Sequence, residues 1–279
     1  MFKILKKEKI GPNLNKFVIE APLVTKNYQP GQFVVLKVDE TGERIPITIA
    51  EADKNKGTIM LFVQEVGKTT YKLGKLKTGD LICDVVGPLG HPAKVMNVGT
   101  VVMVAGGVGT AIIYPETKAF KEAGNYVISI MGFRNKDYVI LEKEMKKYSD
   151  ELYVMTDDGS YGKKGFTTDE LQELVDAGRK MELVISIGPA IMMKKVSEIT
   201  EKYNVKTIVS LNSTMMDATG MCGGCRVEVD GETKFACVDG PEFDGHKVNF
   251  DLLIKRLSTY EKQEKEAFDS YKNCKIQRK

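Results

Sequence analysis

The stretch VVMVAGGVGTA, residues 101–111, decides how the chain is read. Its β-branched run predicts a buried strand, and Gly106-Gly107-Val108-Gly109-Thr110 then turns the chain into a helix from about Ala111. Such a junction lets a phosphate approach the backbone amides and the positive end of a helix. The same glycines also suit any tight strand-to-helix turn in a doubly wound domain. Downstream, predicted strands at 100–105, 126–131, 152–155, 183–187 and 207–211 alternate with helices from about Ala111, around 141–148, from Thr168 and from Ala190. That alternation predicts an α/β domain with a parallel sheet covered by helices on both faces. Upstream, apolar runs at 17–20, 33–38, 45–50, 58–63 and 81–86 are punctuated by Pro22, Pro30-Gly31 and Thr41-Gly42, the pattern of a small β-barrel. Residues 212–250 form a third unit too small to hold itself together by hydrophobic burial alone. From Asp251 onward the chain reads as an amphipathic helical tail. The expected units are therefore 1–97, 98–211, 212–250 and 251–279.

Composition narrows the function. The chain has 279 residues, and at about 150 residues per domain it has length for roughly two full cores. Hydrophobic residues make up 42% and charged residues 28%, which excludes a disordered chain. Lys+Arg of 41 against Asp+Glu of 38 leaves +3, and the tail from residue 255 alone carries eight basic and four acidic side chains. Nucleic acid is therefore not the expected partner. The uncharged run 95–115 has the length of a membrane span, but Gly99, Gly106, Gly107 and Gly109 make it a strand and a turn, so no span is expected. The opening MFKILKKEKI lacks the apolar core and cleavage site of a secretory signal. A cytoplasmic protein is expected, and there five cysteines in clustered spacing point to a metal site before a disulfide framework.

The cysteine-bearing segment is MMDATGMCGGCRVEVDGETKFAC, residues 215–237. It holds Cys222-x2-Cys225 and, after eleven intervening residues, Cys237, with Asp217 five positions before Cys222. Plant-type ferredoxins use C-x4-C-x2-C and a distant fourth cysteine. Here that spacing is met with a carboxylate in the first place, a harder donor of the same charge. Gly220, Gly223 and Gly224 let the backbone wrap closely around anionic sulfurs. A [2Fe–2S] cluster on Asp217, Cys222, Cys225 and Cys237 is the expectation. Structural zinc on the three cysteines with His246 or an aspartate is the alternative, and Asp239 or His246 could replace Asp217. Cys83 and Cys274 read as bystanders.

Other segments suit nucleotides. Gly132-Phe133-Arg134, Thr156-Asp157-Asp158-Gly159-Ser160 and Ile187-Gly188-Pro189 follow later predicted strands, at the carboxyl edge where such sheets bind ligands. A nicotinamide dinucleotide could span that edge, with Arg134 at a ribose or 2′-phosphate. In the barrel, Arg44-Ile45-Pro46-Ile47-Thr48 puts an arginine and a hydroxyl on one face of a strand, suited to a phosphate and to the polar edge of a flavin ring. Gly67-Lys68-Thr69-Thr70-Tyr71 supplies a glycine turn and hydroxyls for a pyrophosphate. A solvated charge and a β-turn would explain either segment equally well.

Taken in order, Arg44-x-Pro46-x-Thr48, Gly67-Lys68-Thr69-Thr70, Gly87-Pro88-Leu89-Gly90, Gly106-Gly107-x-Gly109, Thr156–Ser160, Ile187-Gly188-Pro189 and the cysteine group resemble the ferredoxin–NADP reductase superfamily over about residues 1–245. Within it, the order of units is similar to the electron-transfer subunits of dihydroorotate dehydrogenase B. The carboxylate at Asp217 is more similar to the small subunits of NADH-dependent reduced ferredoxin:NADP oxidoreductases, also known as sulfide dehydrogenase subunits. The resemblance implies FAD held by Arg44, Pro46, Ile47, Thr48, Gly67, Lys68, Thr69 and Thr70. It implies NAD(H), with NADP(H) as the other option, at Gly106, Gly107, Gly109, Thr110, Arg134, Asp158, Gly188 and Pro189. It also implies a larger flavin- and iron–sulfur-containing partner subunit, ferredoxin reached through the complex, and the NADH branch of an electron-bifurcating oxidoreductase. The cysteine that often precedes the Gly-Pro pair in this family is Ile187 here, so any role of that thiol is lost. His91, His246 and Met192-Met193 are expected to be structural. Two rivals stand beside this reading: a dihydroorotate dehydrogenase subunit, and a zinc-stapled nucleotide-binding regulatory module without redox activity.

Overall fold

A computed structural model describes residues 1–273 of the chain; Cys274 lies outside them. The first unit contains β1 (Phe2–Gly11), β2 (Leu14–Glu20), α1 (Pro22–Asn27), β3 (Phe33–Lys37), β4 (Arg44–Asp53), β5 (Thr58–Gln64), α2 (Lys68–Lys75), β6 (Leu81–Ile82) and β7 (Asp84–Leu89). Its strands pair antiparallel in the order β6-β1-β2-β5-β4-β3-β7. The two edge strands are separated in sequence by Cys83 alone, whose N–H donates to the Val38 carbonyl, so the sheet curls into a barrel. Alternating residues fill its interior: Phe17 and Ile19 from β2, Val34 and Leu36 from β3, Ile59 and Leu61 from β5. This is the period-two pattern of a half-buried sheet. β1 was not foreseen. It is lysine-rich, and Ile4 is its one fully buried side chain, so backbone pairing on both sides carries it.

The second unit follows with β8 (Thr100–Gly106), α3 (Gly109–Glu122), β9 (Tyr126–Phe133), α4 (Glu142–Tyr148), β10 (Glu151–Thr156), β11 (Lys163–Lys164), α5 (Thr167–Asp176), β12 (Leu183–Ile187), α6 (Ala190–Lys202) and β13 (Lys206–Ser210). Strands β10, β9, β8, β12 and β13 are parallel neighbours in that order. Because β9 lies on one side of β8 and β12 on the other, the winding reverses at β8/β12, where such sheets open a crevice at the carboxyl ends of the strands. Helices α3 and α4 cover one face, packing Ile113, Phe120 and Met145 on Val101, Met103 and Val127. Helices α5 and α6 cover the other, packing Leu171, Val196 and Ile199 on Val102, Val104 and Ile128. The α3 face also receives Leu14, Ala50 and Phe62 from the barrel, which seats the two units on each other.

The remaining elements are β14 (Arg226–Val229), β15 (Glu232–Phe235), β16 (Glu242–Asp244), α7 (Phe250–Leu257) and α8 (Glu261–Asn273). β14 and β15 form a hairpin, whereas β16 adds antiparallel to β13 and becomes the edge of the parallel sheet. The core of this lobe is shared: Val227, Cys225 and Cys237 pack with Phe33 and Val35 of the barrel and Met193 and Val209 of the α/β unit. The single tail helix expected from Asp251 onward is instead two, because α7 ends where the Ser258 N–H donates to the Ile254 and Arg256 carbonyls. Among the described residues no helix is long and apolar enough to cross a membrane.

Candidate functional site: one cavity between three units

The carboxyl edge of the parallel sheet, the outer face of the barrel and the start of the lobe enclose a cavity of about 1120 Å³. That exceeds the roughly 300–1,000 Å³ of ordinary small-molecule pockets. From the barrel come Pro46, Ile47 and Thr48 on β4, Phe62 and Gln64 on β5, and Thr70 in the first turn of α2. The α/β unit supplies Gly106, Gly107, Gly109, Arg134, Gly188 and Pro189. The lobe supplies Asn212, Ser213 and Met215, so one space touches all three units.

The turn glycines have distinct jobs. A Cβ on Gly109 would stand 2.3 Å from the Ile187 carbonyl oxygen, and one on Gly106 would stand 2.8 Å from the Pro189 ring. One on Gly188 would stand 3.0 Å from the Gly106 nitrogen. These three therefore let the β8 and β12 turns close on each other. Gly107 differs: its φ is +56°, its N–H donates to the Gly132 carbonyl, and a Cβ there would meet nothing within 4 Å. It is the position where a ligand has open access to the backbone.

Several sequence-predicted residues lie beside the cavity without lining it. Arg44 is exposed on the same β4 face as Pro46 and Thr48, 3.9 Å from Asp84. At the α2 turn, the Gly67 and Val66 N–H groups donate to Thr70 Oγ1. The neighbouring Thr69 hydroxyl donates to Glu43, and Lys68 opens the helix. Thr110 is fully buried and its hydroxyl has no partner. Asp158 accepts from the Ser160 N–H, a bond that holds its carboxyl below the usual range, while its neighbour Asp157 lines the cavity.

Sequence reasoning missed Phe62 and Gln64, Phe166 to Thr168 at the start of α5, Met192 and Lys195 on α6, and the 212–215 segment. Alternation along β5 and the i, i+3 spacing of Met192 and Lys195 were available signals. Val66, Phe166 and Ile191 border the cavity while 69%, 60% and 66% exposed. Ser213, also in its wall, is 94% buried (6% exposed), and its hydroxyl has no partner. Exposed apolar side chains beside unpartnered buried hydroxyls fit a large ligand with flat apolar and polar edges.

The cysteine segment is built around left-handed backbone at Ala218, Gly220 and Gly223, with φ of +58°, +85° and +65°. Cys225 and Cys237 are buried, with sulfurs 3.2 Å apart, while Cys222 is exposed and its sulfur accepts from the Gly224 N–H. Burial and the adjoining Cys225 sulfur push the Cys237 thiol up to about 12. The Asp217 carboxylate accepts from the Thr219 and Cys222 N–H groups at 2.9 Å each, bonds that hold it below the usual range. Of the alternative fourth ligands, His246 is hydrogen-bonded to Thr200 at 3.0 Å and Asp239 accepts from the Phe235 N–H at 2.6 Å. Asp217, Cys222 and Cys225 on one tightly turned loop, with Cys237 brought back beside Cys225 by the β14–β15 hairpin, are a donor set suited to an iron–sulfur centre.

Comparison with known proteins agrees with this geometry. Residues 1–93 match the family model of the oxidoreductase FAD-binding domain, and residues 212–249 match the iron–sulfur cluster binding domain of dihydroorotate dehydrogenase B. A Thermotoga maritima protein described as a dihydroorotate dehydrogenase B (NAD(+)), electron transfer subunit homolog is 49% identical over 269 residues, covering 96% of this chain and 95% of that protein. A probable subunit of the same kind from Methanocaldococcus jannaschii is 36% identical, covering 90% and 91%. Among solved structures, a chain of the NADH-dependent reduced ferredoxin–NADP oxidoreductase, studied for flavin-based electron bifurcation, is 47% identical. It superposes with a TM-score of 0.92 over 98% of each chain. With such relatives along nearly its whole length, this chain is an oxidoreductase subunit with an FAD-binding barrel, a nucleotide-binding α/β unit and an iron–sulfur region, and it belongs to the family of dihydroorotate dehydrogenase B electron-transfer subunits and their homologs.

Proposed function

We propose that the chain is the NADH-oxidising branch of a flavin-based electron-bifurcating NADH-dependent ferredoxin:NADP oxidoreductase. In this reading it is paired with a larger flavin- and iron–sulfur-containing subunit through which ferredoxin is served. The observation that carries this is the shared cavity: β4 and α2 of the barrel, the β8 and β12 turns and the 212–215 segment all face one space. Phe33, Leu211 and Met215 of its wall pack in the same apolar core as Cys225 and Cys237.

Bound here, FAD would supply the conversion between two-electron hydride chemistry with a nicotinamide and the one-electron chemistry of an iron–sulfur centre. The chain's own residues align the partners. Pro46, Ile47 and Thr48, which line the cavity from β4, serve the flavin ring. Arg44, Gly67, Lys68, Thr69 and Thr70 serve its phosphates. Gly106, Gly107, Gly109 and Thr110 receive NAD(H), Gly188 and Pro189 close over its nicotinamide end, and Arg134 and Asp158 flank its ribose. Asp217, Cys222, Cys225 and Cys237 hold a [2Fe–2S] cluster.

Reconstituted anaerobically, the chain alone should be yellow-brown and reduce an artificial acceptor with NADH, without coupling NADPH oxidation to ferredoxin reduction. Complete coupling by the isolated chain would overturn the subunit assignment. The names of the relatives favour a second reading, the electron-transfer subunit of a dihydroorotate dehydrogenase. Native co-purification with an orotate-forming subunit, in place of a flavin- and cluster-bearing one, would select it.

A further inference from the structure

The C-terminal helices touch both cofactor-binding elements. On α7, Phe250 and Leu253 are buried in the lobe core, Asp251 pairs with Lys194 of α6 at 2.6 Å, and the Arg256 guanidinium donates to the Gly224 carbonyl inside the cysteine loop at 3.1 Å. Beyond Leu257 the chain turns and α8 reaches the barrel helix α2. None of the 13 residues of α8 is buried, and an isolated helix of that length is marginal in water. It is held by aromatic and cationic contacts on one ring. Tyr71 meets Phe268 edge-on at 5.4 Å and 72°, and Tyr271 at 6.4 Å and 86°. The Lys272 ammonium lies 4.1 Å from the Phe268 ring centre and 5.3 Å from that of Tyr71. Lys75 covers the same Tyr71 ring at 4.4 Å.

Tyr71 is the residue after Thr70, whose side chain lines the cavity and whose hydroxyl closes the first turn of α2. A two-turn helix such as Lys68–Lys75 can offer its N-terminal amides to an anion only if the turn is formed and aimed beforehand, since ordering it on binding costs affinity. We propose that α8 is a strap that holds α2 in place for the flavin's pyrophosphate, with Tyr71, Phe268, Tyr271 and Lys272 acting as positioning residues for flavin retention. The proposal rests on the reading that this cavity holds FAD.

The test uses full-length Tyr71→Ala and Phe268→Ala/Tyr271→Ala proteins, with Tyr71→Phe as the conservative control. FAD release is followed by flavin fluorescence, iron and labile sulfide by assay, and amide exchange across residues 67–76 in flavin-free protein. Both alanine variants should bind FAD about tenfold more weakly, equivalent to about 1.4 kcal/mol, and exchange faster at 67–76 with iron content unchanged. Tyr71→Phe should restore affinity to within about twofold, since the ring and not the hydroxyl makes the contact. Unchanged FAD affinity in the alanine variants would overturn the strap while leaving the cavity assignment intact. Parallel loss of FAD, iron and thermal stability would reduce the contact to general scaffolding and likewise overturn it. A parent chain that binds no FAD would sink the cavity assignment itself.

Discussion

At the scale of single residues, the fourth ligand position separates a chemical role from a local one. The Asp217 carboxylate is oriented by the Thr219 and Cys222 N–H groups, so the side chain stands beside Cys222 whether or not it binds metal. Each oxygen keeps a second lone pair for iron. Asp217→Ala should lose iron to a chelator at least about tenfold faster than the parent, a lower bound set by the effect of removing outer-shell support from a metal ligand. Asp217→Cys should keep the cluster with a changed visible spectrum. Equal iron retention in Asp217→Ala would confine the carboxylate to shaping the turn. The spacing D-x4-C-x2-C-x11-C was legible because candidate donors in turns and hairpins sit at short, fixed sequence intervals. That Cys222 is exposed while Cys225 and Cys237 are buried was not legible, because burial comes from β3 and β13, far away in sequence.

At the scale of elements, the strand–turn–helix units were readable because hydrophobic runs and glycines record them locally, and the glycine turns were correctly located. The division of labour among those glycines needed the neighbouring strand, since Gly109 is constrained by the Ile187 carbonyl nearly eighty positions away. Two substitutions separate the roles. Gly109→Ala forces α3 away from the β12 turn and should cost about 1–3 kcal/mol of stability, as overpacking does. Gly107→Ala meets open space and bears mainly the left-handed backbone penalty of about 1–2 kcal/mol. Its main effect should be a raised KM for NADH in acceptor reduction. Melting curves and NADH titrations distinguish the two, and a larger loss of stability in Gly107→Ala than in Gly109→Ala would contradict this assignment. Strand β1 escaped notice for the complementary reason, since a polar strand held by backbone bonds on both sides leaves little hydrophobic period to read.

At the scale of the whole molecule, the units are joined by more than the cavity. Glu116 of α3 is fully buried, and neither of its carboxyl oxygens has a hydrogen-bond partner; Glu242 of β16 adjoins it, with Gly31 of the barrel alongside. Burial, and then the Glu242 charge, push Glu116 well above the carboxylate range, and burial raises Glu242 as well. The facing groups are Lys94, which favours the Glu242 anion, and Tyr28, whose phenol is raised by its own burial with a contribution from Glu116. The pair can satisfy itself only by sharing a proton. A folded-state pKa above the unfolded value means stability that is full below the ordinary carboxylate range of about 4.3 and is lost as pH rises through the raised value. Thermal midpoints should therefore fall as pH rises above the ordinary carboxylate range, and Glu116→Gln, which supplies a permanent donor, should recover about 1–3 kcal/mol at the alkaline end. Superimposable pH profiles for the two proteins would refute the shared proton. By itself, the sequence determined the barrel, the alternating α/β unit, the glycine turns and the cysteine spacing, because each is written in residues close together in the chain. Tertiary structure alone decided that β16 completes the parallel sheet, that the three units share one cavity and that an exposed tail returns to α2. Those outcomes depend on which surfaces meet after the local elements have formed, and sequence periodicity carries no record of a partner that distant.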